Sequence, residues 1–301
     1  MRYALVFFLT FIVGALASAK SATDQPEIRF VAEIDKSGYV GEALTYTIKL
    51  YSEASDISNV KVLSAPLFPQ DVRVIQGIAR DSQPAKVELK GKQYFCWTIL
   101  RDFIVADKPG KYSIGKGRFA VYQPVVKEVQ SGVWGRRRII DYEEQIVECD
   151  GASFRIQDLP ANKKTDTYSG CVGDFNIEAW FPPGKIYKDT EAYAIFKVSG
   201  YGNLSGLKLP NIHKLFANGC RLKEIERDDR QTQKDGRLFS EITLTCRFIP
   251  EAEIFEISPL CLNFFNPSSK KFYDACSETL HWTGNKTEKG KTNRSNEAIT
   301  I

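Results

Sequence analysis

A chain of 301 residues, 43% hydrophobic and 26% charged, is long enough for two domains with cores of their own. A net charge of +4 excludes the strongly basic field of a nucleic-acid binder. With only His213 and His281 present, a Ser-His-Asp triad or a histidine metal site has to use one of them.

At the N-terminus, Arg2 precedes an apolar run over 4–16 that ends in Ala17-Ser18-Ala19, a small-x-small triplet. Residues 1–19 therefore read as a secretory signal, cleaved after Ala19. No cysteine follows the triplet for a lipid anchor, and no later stretch is apolar enough to span a bilayer. The mature chain is expected to be exported, in the periplasm or an equivalent space. Export permits disulfides, yet the seven cysteines are an odd number, so at least one stays unpaired or pairs between chains. No CxxC and no Cys/His spacing suits zinc, so no metal or cofactor is expected.

Short strands then follow one another. Residues 28–34 alternate, and Ser37-Gly38 breaks the pattern. Residues 44–50 put Leu44, Tyr46, Ile48 and Leu50 on one face. Further strands are predicted at 60–63, 72–75, 94–100, 112–114 and 118–122, with a turn at Lys108-Pro109-Gly110. Residues 125–130 and 139–148 form a long hairpin around Ser131-Gly132. This spacing of strands and turns predicts an all-β sandwich over 24–158.

Residues 159–171 read as a linker, polar and without period from Leu159-Pro160 onward. A second sandwich is predicted over 172–283, with 284–301 a disordered polar tail. The second half repeats the first. Tyr39 to Leu50 aligns without gaps on Tyr187 to Val198, setting Ile48 and Leu50 on Phe196 and Val198. Tyr112-Ser113-Ile114 aligns on Phe255-Glu256-Ile257, and Tyr122-Gln123-Pro124 on Phe265-Asn266-Pro267. Two matches in the same order indicate a duplicated domain.

Gly200-Tyr201-Gly202-Asn203-Leu204 follows the predicted strand at 193–198. A nucleotide loop needs a third glycine and a helix, and Lys208-Leu209-Pro210-Asn211 opens none. The glycines instead read as positions of positive φ or a bulge, with Asn203 bonding local backbone. Asp228-Asp229 between Arg227 and Arg230 lacks the spaced ligands of a calcium loop and reads as a charged hairpin tip. Cys171 beside Gly170 has no neighbour to activate it as a redox thiol. Asn203, Asn285 and Asn293 open sequons that matter only in a glycosylating host. The candidate partner-binding residues are Trp134, Arg136, Arg137 and Arg138, an aromatic ring beside three guanidinium groups, as at interaction hot spots. The plainer reading of this run is a solvated hairpin tip.

In its order of landmarks the chain resembles the BatD (oxygen tolerance, aerotolerance operon) family. The landmarks are the signal peptide, Tyr39-Val40-Gly41-Glu42, Leu159-Pro160, Val172-Gly173-Asp174-Phe175, Gly200 to Leu204, Leu209-Pro210 and Phe264-Phe265-Asn266-Pro267 with Tyr273. The resemblance implies exported tandem immunoglobulin-like β-sandwiches without catalytic residues. It implies partners among membrane von Willebrand A-domain proteins and a MoxR-type ATPase system. Many members carry a transmembrane helix after the sandwiches. None is seen here, so membrane association is expected only through partners. Glu253-Ile254 stands where the family has a glycine before Phe255, although Gly110 is present at the equivalent turn. The expected function is non-enzymatic binding or scaffolding in the envelope. The alternatives are a carbohydrate-binding or adhesin-like surface protein and a periplasmic thiol redox protein.

Overall fold

The computed structural model describes residues 26–75, 77, 83–130, 136–160 and 168–283, with the backbone alone at 128, 130, 136 and 137. The expected signal, cleavage site and tail lie outside the described residues, as do residues 161–167 of the expected linker, the turn at Ser131-Gly132, and Trp134. Within the described residues the chain is all-β, with a 3-10 turn at Ile212–Phe216.

The first half opens with β1 (Ile28–Ile34), β2 (Ser37–Tyr39) and β3 (Ala43–Ser52). It continues with β4 (Asn59–Ser64), β5 (Val72–Ile75), β6 (Ala85–Leu89), β7 (Lys92–Ala106) and β8 (Gly110–Ile114). It closes with β9 (Gly117–Gln130), β10 (Arg136–Cys149) and β11 (Ala152–Gln157). A large sheet runs β4-β9-β10-β1-β3-β7-β5, with β6 also on β7, and a small sheet runs β2-β11-β8. Both sheets feed one core: Leu44, Tyr46, Ile48 and Leu50 from β3 meet Ile114 of β8 and Phe154 and Ile156 of β11. The alternation predicted for β3 is thus the buried face of its sheet.

The second half holds β12 (Tyr168–Trp180), β13 (Ala192–Asn203), β14 (Cys220–Lys234) and β15 (Arg237–Pro250). β16 (Ile254–Ile257), β17 (Cys261–Asn266), β18 (Lys271–Cys276) and β19 (Leu280–Thr283) complete it. Its sheets run β14-β15-β13-β12-β17-β18 and β16-β19, again around one core. Strand structure resumes at Tyr168, earlier than the sequence suggests.

The two halves share part of their strand arrangement. Ala192, Ala194, Phe196 and Val198 are buried on β13 at the positions that Leu44, Tyr46, Ile48 and Leu50 hold on β3. The trio β1-β3-β7 corresponds to β12-β13-β15, and the pair β8-β11 to β16-β19. The hairpins differ. In the first half the returning strand β10 lies parallel beside β1, whereas in the second the outgoing strand β17 lies parallel beside β12. Tyr122 and Phe265, aligned in sequence, therefore occupy different places: Phe265 is buried and Tyr122 is not.

Candidate functional site

Two places merit attention, the junction between the halves and the β9–β10 hairpin. At the junction the landmark residues converge. Gly200 and Gly202 end β13 with φ of 157° and 138°. They pair in unbroken register with Phe175 and Gly173 of β12, so there is no bulge here. A Cβ on Gly200 would sit 2.0 Å from the Asp174 carbonyl oxygen, so only glycine lets the two backbones approach this closely. Asn203 Oδ1 accepts the Ser205 N–H at 3.1 Å, the local bond expected from the sequence. The Tyr273 hydroxyl accepts the Phe175 N–H at 2.6 Å and ties β18 across β12. On the other side of the junction Gly41 turns with φ of 85° beside Val172, and the Tyr39 ring meets Phe265 edge-on at 4.9 Å.

Behind these contacts lies a cleft of about 560 Å³, lined from both halves. Lys49 pairs with Glu33 at 2.7 Å, and the Arg237 guanidinium stacks 4.6 Å above the Tyr201 ring. Burial raises the Glu42 carboxyl above its usual range, against the lowering effect of the Tyr39 N–H that it accepts at 2.9 Å. Side chains of both charge signs along the cleft suit a wet seam between two bodies and select no ligand chemistry.

The hairpin is a different kind of surface. Among the described residues, β4 pairs with β9 through Arg118 to Tyr122 alone, and β10 meets β1 only at Cys149. Beyond those points β9 and β10 pair with each other and continue as a two-stranded ribbon, reaching about 25 Å past the sheet. The inner face, with Phe119 and Val121, runs into the core. The outer face carries Val126, Ile140, Tyr142 and Ile146, which are 68%, 69%, 59% and 54% exposed. Cross-strand register sets Val126 opposite Ile140 on that face. Arg136, Arg137 and Arg138 open β10 at the far end of the ribbon, and the Arg138 side chain is exposed. The structure thus sets three of the four sequence-predicted residues at the tip of an apolar row that the sequence reading did not single out. The signal was present as apolar residues at Ile140, Tyr142 and Ile146, two or four apart.

The remaining candidates take structural places. His213 lies in the 3-10 turn, exposed, its N–H bonded to Asn211 Oδ1 at 3.1 Å. His281 is exposed on β19, with Nδ1 3.6 Å from Glu256. Asp228 and Asp229 are inside β14 and not at a hairpin tip. Each bonds an arginine two residues away, Asp229 with Arg227 at 2.6 Å and Asp228 with Arg230 at 2.9 Å. The tip falls at Asp235-Gly236, where both φ are positive. Cys261 and Cys276 form a disulfide across β17 and β18. Burial pushes the Cys149 thiol up to about 11, and Cys171, Cys220 and Cys246 up to about 12. These are the surroundings of inert structural thiols. Trp180 and Tyr193, two aromatics the sequence reading passed over, are exposed on the outer face of the second half's large sheet. No protein-family model matches the chain, and no curated protein matches it.

Proposed function

We propose that this chain is an exported binding protein of the BatD type, built from tandem immunoglobulin-like sandwiches. It works by holding envelope proteins and not by catalysis. The ribbon β9–β10 is its contact element, with Arg136, Arg137 and Arg138 opening β10 at its far end and Trp134 close before them in sequence. The observation that carries this reading is the outer row Val126, Ile140 and Tyr142, exposed on a ribbon that leaves the sheet and continued by exposed Ile146 at its root. Large apolar side chains gathered on one exposed face mark interaction sites. Tyrosine and arginine are among the residue types enriched at hot spots. Partners of the kind the resemblance implies, membrane von Willebrand A-domain proteins and a MoxR-type ATPase system, fit such a surface.

The test is capture from crosslinked envelope in a deletion strain complemented with variants. Ile140→Ser with Tyr142→Ser is expected to abolish capture while leaving the fold intact. Reversing charge at Arg136, Arg137 and Arg138 is expected to weaken capture, most at low salt, where charges are least screened. Unchanged capture by both variants sinks the reading. A carbohydrate-binding role has Trp180 and Tyr193 as its platform, and glycan binding lost on Trp180→Ala would favour it.

A further inference from the structure

The disulfide Cys261–Cys276 is placed unlike the other cysteines. Cys96 is half-buried and Cys149, Cys171, Cys220 and Cys246 are buried, whereas both residues of the disulfide are exposed. Alternation along the β17–β18 hairpin explains this. Leu262 and Phe264 of β17 enter the core of the second half, and Tyr273 and Ala275 of β18 pack against it. Cys261, Asn263 and Phe265 therefore take the other face of the sheet, where register sets them against Cys276, Asp274 and Phe272. That row is buried at Phe265, against Tyr39, and open at the disulfide. The bond is also not what holds its two ends together. On one side Leu262 pairs with Ala275, and Asn263 Nδ2 donates to Asp274 Oδ1 at 2.8 Å. On the other side the Ser277 N–H donates to the Leu260 carbonyl and the Leu260 N–H to Ser277 Oγ, both at 3.0 Å. Two sulfurs bracketed in this way stay face to face whether bonded or not. Among the described residues β18 is the last strand of its sheet. A nucleophile in line with the S–S bond therefore reaches Cys276 from beyond the edge, whereas Cys261 lies on the inner strand. Exposed disulfides are the ones open to exchange.

We infer that Cys261–Cys276 is a thiol–disulfide exchange site whose substrate is the dithiol of an oxidoreductase, and that Cys276 carries the sulfur attacked. One thiolate of that dithiol bonds to Cys276 Sγ. The bond between Cys276 and Cys261 breaks, and its electron pair leaves on Cys261 Sγ, which takes up a proton. The second thiolate of the oxidoreductase then attacks its own sulfur in the mixed disulfide, and Cys276 leaves as a thiolate and is protonated in turn. This chain is reduced to the dithiol and the oxidoreductase is oxidised to the disulfide. The hairpin keeps its ladder in the dithiol state, so the exchange is reversible. The site is in the second half and does not rest on the reading of the ribbon as the contact element.

The experiment mixes the oxidised chain, without denaturant, with thioredoxin whose resolving cysteine is replaced by serine, a probe that attacks and cannot complete the exchange. Released thiols are alkylated as they form. A mixed disulfide is expected, mapped by peptide mass spectrometry to Cys276, with Cys261 alkylated. Cys261→Ser with Cys276→Ser is expected to form none. Dithiothreitol is expected to reduce the folded chain within about tenfold of the rate in urea, with circular dichroism unchanged, and oxidised glutathione is expected to restore the bond. A staple opened only by unfolding would react at least about a thousandfold more slowly when folded, since roughly one chain in a thousand or fewer is open at any moment. Reduction slower than the tenfold window overturns the inference, as does loss of the β circular dichroism on reduction. So does a mixed disulfide mapped to Cys261, or none at all. Envelope capture by the ribbon is expected to be the same for the parent and the doubly substituted chain, so the proposed function and this inference fail separately.

Discussion

Tyr46 is fully buried, and among the described residues its hydroxyl has no hydrogen-bond partner. Removing an unmet buried hydroxyl relieves its desolvation cost, so Tyr46→Phe is expected to stabilise the fold by about 1 kcal/mol in urea titration. A loss instead would mean that the hydroxyl is satisfied. Gly200→Ala belongs to the opposite class. The new Cβ meets the β12 backbone at a φ that side chains avoid, and a cost of about 3 kcal/mol or more is expected. Glu42 gives a pH signature. Burial raises its folded pKa, whereas the unfolded chain releases the proton near 4.5. Between those values the folded state holds more protons, so stability falls as pH rises through the window and levels off above the folded pKa. Glu42→Gln is expected to remove that fall, gaining on the parent from about pH 4.5 upward. Parallel stability curves for the two proteins across that window would refute the assignment.

Among the elements, β17 and β18 are joined by the Cys261–Cys276 disulfide, with a sequence separation of 15. Closing a loop of that size stabilises by about 3 kcal/mol through the unfolded chain, the loss expected for Cys261→Ser with Cys276→Ser. Denaturant midpoints of the variant and the parent check this. Strands that obey simple alternation were legible in the sequence. β1 and β5 fall on the predicted residues, and β3 buries the predicted face. β6 was missed because its hairpin turns at Lys90-Gly91, both with positive φ, where an Asn or Asp would have signalled the turn. β9 was split at Pro124, yet it runs through. Beyond Tyr122, among the described residues, it pairs with β10 alone, and an edge is where a strand tolerates proline. The arginines of the candidate site were legible as a charge run. The apolar row beside them was not, because alternation alone does not tell a face turned to solvent from one turned to a core.

At the scale of the whole molecule, the landmark residues serve the junction more than any site of chemistry. Tyr39 meets Phe265 across it, and Gly41 lies beside Val172, next to the Gly173–Gly202 pair of β12 and β13. Yet among the described residues no sheet contains strands of both halves, and the two cores share no residue. Among the described residues the contacts across it include Tyr39 on Phe265, Gly41 beside Val172, and Arg73 to Ser205 at 3.3 Å. A junction without a common sheet or core, with a polar cleft behind it, resembles a transient interface more than a shared core. The halves are therefore expected to unfold separately. Calorimetry is expected to resolve two transitions, and Tyr39→Ala, which removes the main ring contact, is expected to shift neither by more than about 1 kcal/mol. Trypsin at Lys163 or Lys164 is expected to release two fragments that keep their β circular dichroism and separate on gel filtration. A single cooperative transition, or fragments that stay together through gel filtration, would show that the junction fixes the halves as one folding unit, and the two-domain reading would have to be given up.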